Sequence, residues 1–283
     1  MAATGGHVAV VTLTTDFGLR DSYVAEMKGA ILGIARDVQL VDITHDVAAH
    51  DVTEAALALE AAVPYFPPGT IHVAVVDPGV GTARRGVVLE SRGHRFVGPD
   101  NGLFTPFVTD GARAFELRAP QYRLPDVSRT FHGRDVFGPA AGHLARGVPV
   151  EAFGPPITDP VTLRWPVPSA VGGGLVGEVV HVDRFGNLVT SIPASAVSGQ
   201  GGSFTVRVAA QWLPMVETYA DLPRGQAGAL VGSRSRLEVA VREGSAARLL
   251  GARRGTAVYL ARDRRATSTR KPTKLTKPSR PRS

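Results

Sequence analysis

Asp77 stands at the end of an apolar run and opens Asp77-Pro78-Gly79-Val80-Gly81-Thr82, with Arg84 seven positions after it. Two further polar clusters follow, Phe131-His132-Gly133-Arg134-Asp135 and Asp183-Arg184-Phe185-Gly186-Asn187. A carboxylate beside a guanidinium stays ionised and fixes the guanidinium plane. An imidazole nearby can orient a reactant or take its proton. Each cluster sits where an apolar run ends, which points to one assembled site. Val73-Ala74-Val75-Val76 reads as a buried strand, and Pro-Gly-Val-Gly forces a turn directly after it. Open α/β sheets bind ligands at such carboxyl ends of strands.

Taken singly, each residue has an ordinary reading. Asp before Pro-Gly is a common turn former. Arg84 and its neighbour Arg85 can pair with surface acids, and a lone loop histidine is usually structural or solvated. His45-Asp46 and His50-Asp51 offer metal-binding residue types. Asp51 followed by Glu54 is also a helix start of capping-box type ahead of Ala55 to Val63, and that reading is preferred to a metal. Asp16-Phe17-Gly18 lacks the glycine-rich loop and strand lysine of a kinase, and Pro78 to Thr82 lacks the lysine of a phosphate loop.

With these clusters in order, the chain resembles the S-adenosylmethionine (SAM) hydroxide adenosyltransferases, which hydrolyse SAM to adenosine and methionine and are related to the fluorinase and chlorinase. The matching segments also include Thr14-Thr15-Asp16-Phe17-Gly18, Met27-Lys28-Gly29, Val41-Asp42-Ile43-Thr44-His45, Pro68-Gly69-Thr70-Ile71-His72-Val73 and Pro99-Asp100-Asn101-Gly102-Leu103. They run from about residue 8 to about residue 262. The resemblance implies in-line attack of water on the ribose 5′ carbon, with methionine leaving as a neutral thioether. Because a sulfonium is an activated leaving group, neither metal nor cofactor is expected. The family's Asp-Arg-His triad maps onto Asp77, Arg84 and His132. Asp16 is implied to accept both ribose hydroxyls, Asp21 and Asp183 to face the methionine ammonium, and Asn187 to read the adenine edge. Ser233 and Arg234 match the pair that holds the methionine carboxylate, although Ser235-Arg236 repeats the dipeptide. Glu243 stands where the family commonly has Asn, which puts side-chain contacts from that segment in doubt. His50 matches an aromatic position near the substrate in the halogenating relatives.

Those elements must be positioned by a fold. Val8 to Leu13, Val38 to Ile43 and Thr70 to Val76 read as strands, and Ser22 to Ala35 and Val52 to Val63 as helices. Arg134 to Ala145 reads as a further helix closed by Gly147. Alternation of this kind predicts an α/β domain over residues 1–165, a mostly parallel sheet flanked by helices. Residues 166–174, ending in Gly172-Gly173-Gly174, read as a linker. Leu175 to Val182, Phe204 to Val208, Leu237 to Val241 and Ala257 to Leu260 predict a smaller all-β, barrel-like domain over residues 175–263.

Residues 264–283 hold five Arg and three Lys with no acid, +8 against +7 for the whole chain, so residues 1–263 sum to −1. This basic tail reads as disordered; contact with nucleic acid is the less favoured role beside a solubilising one. No apolar run approaches a membrane span and no signal pattern opens the chain, so a cytoplasmic protein without membrane contact is expected. The absence of cysteine excludes disulfides and thiolate chemistry.

Two rival functions are weighed against SAM hydrolysis. Halide transfer is disfavoured because the halogenating relatives carry Tyr at the position of Asp77 and a long insertion, whereas only fourteen residues separate Arg85 from Asp100. A non-catalytic nucleoside- or SAM-binding module has no need of Asp77, Arg84 and His132 together. The resemblance further implies a homotrimer with sites at subunit interfaces.

Overall fold

A computed structural model of the protein describes residues 8–197 and 203–262. The basic segment 264–283, expected to be disordered, lies outside the described residues. The chain divides into two units at the Trp165–Pro166 join.

The first unit opens with β1 (Ala9–Thr15), α1 (Tyr23–Ile34), β2 (Val38–Thr44), α2 (Val52–Ala62) and β3 (Ile71–Val75). β4 (Gly86–Ser91), β5 (His94–Pro99), β6 (Arg113–Glu116), α3 (Gly138–Ala145) and β7 (Pro156–Ile157) follow. One sheet of order β2-β1-β3-β5-β4-β6-β7 joins them. The α/β expectation holds, and the sheet is mixed: β2, β1, β3 and β5 run parallel, whereas β4, β6 and β7 each pair antiparallel with the preceding strand in the sheet order.

Side-chain alternation in the central strands explains the layers. Val11, Leu13, Val73 and Val75 face a core shared with α3 and with Met27 and Ile31 of α1. Ala74 and Val76 face the opposite core, with Ala55 and Leu59 of α2 and the wholly buried Phe96. Both sheet faces are therefore covered, as parallel strands require. Asp51 caps α2 by accepting from the Glu54 N–H at 2.9 Å. The Glu54 carboxylate reaches the Ala48 N–H at 3.1 Å, so the start differs from a reciprocal capping box. Residues Gly133–Phe137 form one π-helical turn before α3, so the stretch expected as a single helix changes pitch at its start.

The second unit contains β8 (Ser169–Val171), β9 (Gly174–Val182), β10 (Leu188–Pro193), β11 (Phe204–Val208) and β12 (Gln211–Pro214). β13 (Ala227–Val231), β14 (Arg236–Val241), α4 (Ala246–Leu250) and β15 (Ala257–Arg262) complete it. Its strands pair antiparallel in the order β12-β11-β15-β9-β10-β14-β13. At the two edges the Val216 N–H donates to the Ala229 carbonyl at 2.8 Å, which nearly closes a barrel. Part of the segment expected as a linker is strand. β8 pairs with β9 because Gly172 and Gly173 adopt φ of +53° and +84°, the backbone of a tight hairpin turn. Among the described residues, no helix is long and apolar enough to cross a membrane.

Candidate active site

β3 delivers Asp77 two residues past its last paired position. The turn after it is closed by the Val80 N–H on the Asp77 carbonyl at 3.2 Å and the Thr82 hydroxyl on the Gly79 carbonyl at 2.7 Å. Gly81 has φ of +80°, and a Cβ there would lie 2.8 Å from the Arg129 carbonyl oxygen. Only glycine allows both this backbone and that approach. The turn bearing Asp77 is thereby set against the loop leading to His132.

Arg84 turns back over the site. Its Nε donates to Asp77 Oδ1 at 2.9 Å and its Nη2 to Asp77 Oδ2, a fork-to-fork pair. Nη2 also donates to His132 Nδ1 at 2.7 Å. The Asp77 and Arg84 side chains are only 6% and 12% exposed. Arg84 further stacks over the Phe137 ring at 5.2 Å. Since a guanidinium can only donate, Nδ1 accepts and the neutral imidazole carries its proton on Nε2. Burial, followed by the Arg84 charge, holds the His132 pKa below its ordinary 6.5, with Asp77 and Asp135 acting in the opposite sense.

A cavity of about 560 Å³ opens beside this chain of three, lined among others by Asp16, Phe17, Tyr23, His50, Asp77, Phe131 and His132. Asp16 follows the end of β1, and its Oδ2 accepts the His50 N–H at 2.9 Å. His50 adopts φ of +67°, a costly left-handed backbone for a non-glycine residue. Phe17, Tyr23 and Phe131 meet edge to face, with ring centres 5.2–5.8 Å apart. Asp21 is exposed and is not among the residues lining this cavity. Nor does it cap α1, whose N-cap is Ser22.

The second unit has its own cavity of about 810 Å³, around Asp183, Asn187, Ser233 and Arg234. Asp183 Oδ1 accepts the backbone N–H groups of Phe185 and Asn187 at 2.9 Å each. Its Oδ2 accepts the Asn187 side-chain amide at 3.0 Å, leaving the Asn187 oxygen free of that contact. A Cβ at Gly186 would lie 2.1 Å from Ser245 Oγ, so this tight turn also requires glycine. Of the repeated dipeptides, Ser233-Arg234 lines the cavity, while Ser235 sits in a turn and Arg236 begins β14.

Sequence reasoning missed Tyr219 and Glu238, which also line this cavity. The Tyr219 hydroxyl donates to Glu238 at 2.6 Å. Burial raises Glu238 above the usual carboxylate range and pushes Tyr219 up to about 12. The available signal was a lone acid between the core-facing positions of the apolar run Leu237-Glu238-Val239-Ala240-Val241. Glu243 occupies left-handed backbone at φ of +57°, and its carboxylate accepts Arg224 Nε at 2.8 Å. Asn suits such a backbone better than Glu does.

The sequence matches the SAM hydroxide adenosyltransferase N-terminal domain over residues 11–154 and the C-terminal domain over residues 177–259. A Thermus thermophilus protein named (R)-S-adenosyl-L-methionine hydrolase is 43% identical over 259 residues, covering 88% of this chain and 98% of its own. A fluorinase from an Actinoplanes species is 29% identical over 81% of this chain and 87% of its own. The crystal structure of an uncharacterized conserved protein from Thermotoga maritima superposes with a TM-score of 0.82 at 32% identity. It covers 89% of this chain and 100% of its own.

Proposed function

This chain belongs to the SAM hydroxide adenosyltransferase family, and we propose that it hydrolyses S-adenosyl-L-methionine to adenosine and L-methionine. The observation that supports this most is the partly buried relay Asp77–Arg84–His132 beside a cavity that also holds Asp16. In the reaction, the water oxygen forms a bond to the ribose 5′ carbon. The carbon–sulfur bond breaks with its electron pair passing to sulfur, so the sulfonium becomes a neutral thioether. The water gives up one proton.

Asp77 holds the guanidinium plane of Arg84, and Arg84 fixes His132 as an acceptor at Nδ1 and a donor at Nε2. Such a set stabilises hydroxide: it brings the Arg84 guanidinium and an oriented imidazole donor to the edge of the cavity. The proton therefore leaves to solvent rather than to His132, whose Nδ1 lone pair is occupied. Asp16 binds the ribose hydroxyls, Asn187 reads adenine, Asp21 and Asp183 face the methionine ammonium, and Ser233 with Arg234 holds its carboxylate. Asp183 also braces Asn187, consistent with its bonds there.

The proposed enzyme is a cytoplasmic homotrimer with sites at subunit interfaces, and it needs neither metal nor cofactor because its leaving group is already activated. Incubating the protein with SAM and chelator should yield adenosine and methionine in equal amounts. Loss of activity to chelator with recovery on zinc or magnesium, or a halogenated nucleoside dominating in chloride, would overturn the proposal.

A further inference from the structure

His132 is held on one side by Arg84, but a second network fixes the loop that carries it. Asp135 is wholly buried, three residues on and inside the π-helical turn. Its Oδ1 accepts Arg134 Nε at 2.6 Å, and its Oδ2 accepts both Arg134 Nη2 at 3.1 Å and the Ser128 N–H at 2.8 Å. Its backbone ties the same loop twice, its N–H to the Phe131 carbonyl at 3.1 Å and its carbonyl to the Leu124 N–H at 2.9 Å. The network then leaves the loop. Arg134 Nη1 reaches Glu26 of α1 at 2.9 Å, and Glu26 accepts the Ser22 hydroxyl at 2.7 Å. Arg134 also lies over the Phe131 ring at 5.1 Å.

A buried ion pair between adjacent residues contributes little net stability, because desolvation offsets much of the attraction. Its measurable consequence is geometric. Residues 124–132 are tied at three points to one carboxylate residue, and that residue is anchored through Arg134 to a helix that packs on the sheet. The π turn, often found at functional sites, lets His132 and Asp135 serve different partners from one short stretch.

We infer that Asp135, clamped by Arg134 and Glu26, is a positioning residue that aims His132 at the reacting water. This rests on the hydrolase reading and adds a residue pair to which that reading assigns no role. Glu26, Arg134 and Ser128 reach the wall of the cavity, but the wholly buried Asp135 is not among its lining residues and acts through His132.

A double-mutant cycle in steady-state SAM hydrolysis tests it. Asp135→Asn should lower turnover by about tenfold or more while KM stays within about threefold. In a His132→Ala background the same change should cost less than about twofold, because a positioning residue has nothing left to aim. With no substrate present, the His132 imidazole nitrogen shifts should also differ between wild type and Asp135→Asn. Losses that multiply independently of His132, a raised KM with unchanged turnover, or unmoved imidazole shifts would overturn the inference. If Asp135→Asn fails to fold, Arg134→Lys and Glu26→Gln carry the same cycle from half-exposed positions, with the same coupling expected and full additivity contradicting it. Adenosine formation by the wild type is the separate control: its absence sinks the hydrolase reading itself.

Discussion

At the scale of single residues, the proposed function divides the site between groups that would act on water and groups that would hold the substrate. Arg84 makes two parallel bonds to Asp77 and a third to His132, a pattern that lysine cannot copy. Arg84→Lys and His132→Ala should each lower turnover by about a hundredfold with affinity changed only a few-fold, read from steady-state kinetics. An equal fall in affinity and turnover would move these residues to substrate binding. Asp16→Ala should weaken SAM and adenosine binding together, by calorimetry, because both ligands carry the ribose; unchanged adenosine affinity would leave Asp16 only its bond to the His50 N–H. Asp77, Arg84 and His132 were legible because acid, base and imidazole stood at the ends of apolar runs in a recognisable order. The resemblance put Asp21 at the methionine ammonium; that it is exposed and off the cavity of the first unit depends on a turn whose path the sequence does not encode locally. Tyr219 and Glu238 escaped because a pair distant in sequence becomes a pair only when the barrel forms.

At the scale of elements, the strands that carry the site also bury histidines. Thr12 of β1 bonds His72 of β3 at 2.8 Å, and His72 lies 3.3 Å from His94 of β5. Burial, with the His94 charge second, lowers His72 from 6.5 to about 3. Burial also lowers His94, His132 and His143. These groups stay neutral when folded but take up protons in the unfolded chain below 6.5. The His72 contribution to stability is therefore complete above that value and is lost progressively as pH falls from it toward about 3, and the other lowered histidines act in the same direction. Urea midpoints should drop between about pH 7 and about pH 5, before most carboxylates titrate; a flat midpoint across that range would contradict the assignment. The parallel half of the sheet was readable from strand–helix alternation. The hairpin of β4 and β5 was not, although Arg92-Gly93 provides its turn with φ of +50° and +78°. The π turn was invisible too, because its apolar spacing continues smoothly into α3.

At the scale of the whole molecule, the Asp77–Arg84–His132 relay lies in the first unit and Asn187 in the second. If sites form at the interfaces of a homotrimer, chains inactivated by His132→Ala and by Asn187→Ala should restore part of the activity when mixed under subunit exchange. An active monomer by light scattering, with no recovery in any mixture, would contradict the assembly. Delivery of water to the ribose 5′ carbon by the relay is the step on which the proposed activity depends. Its most direct test is turnover of SAM in oxygen-18 water, followed by mass spectrometry of both products. One heavy oxygen per adenosine, at the 5′ hydroxyl, and none in methionine is expected; adenosine without label, or label in methionine, would rule out water delivery by the relay.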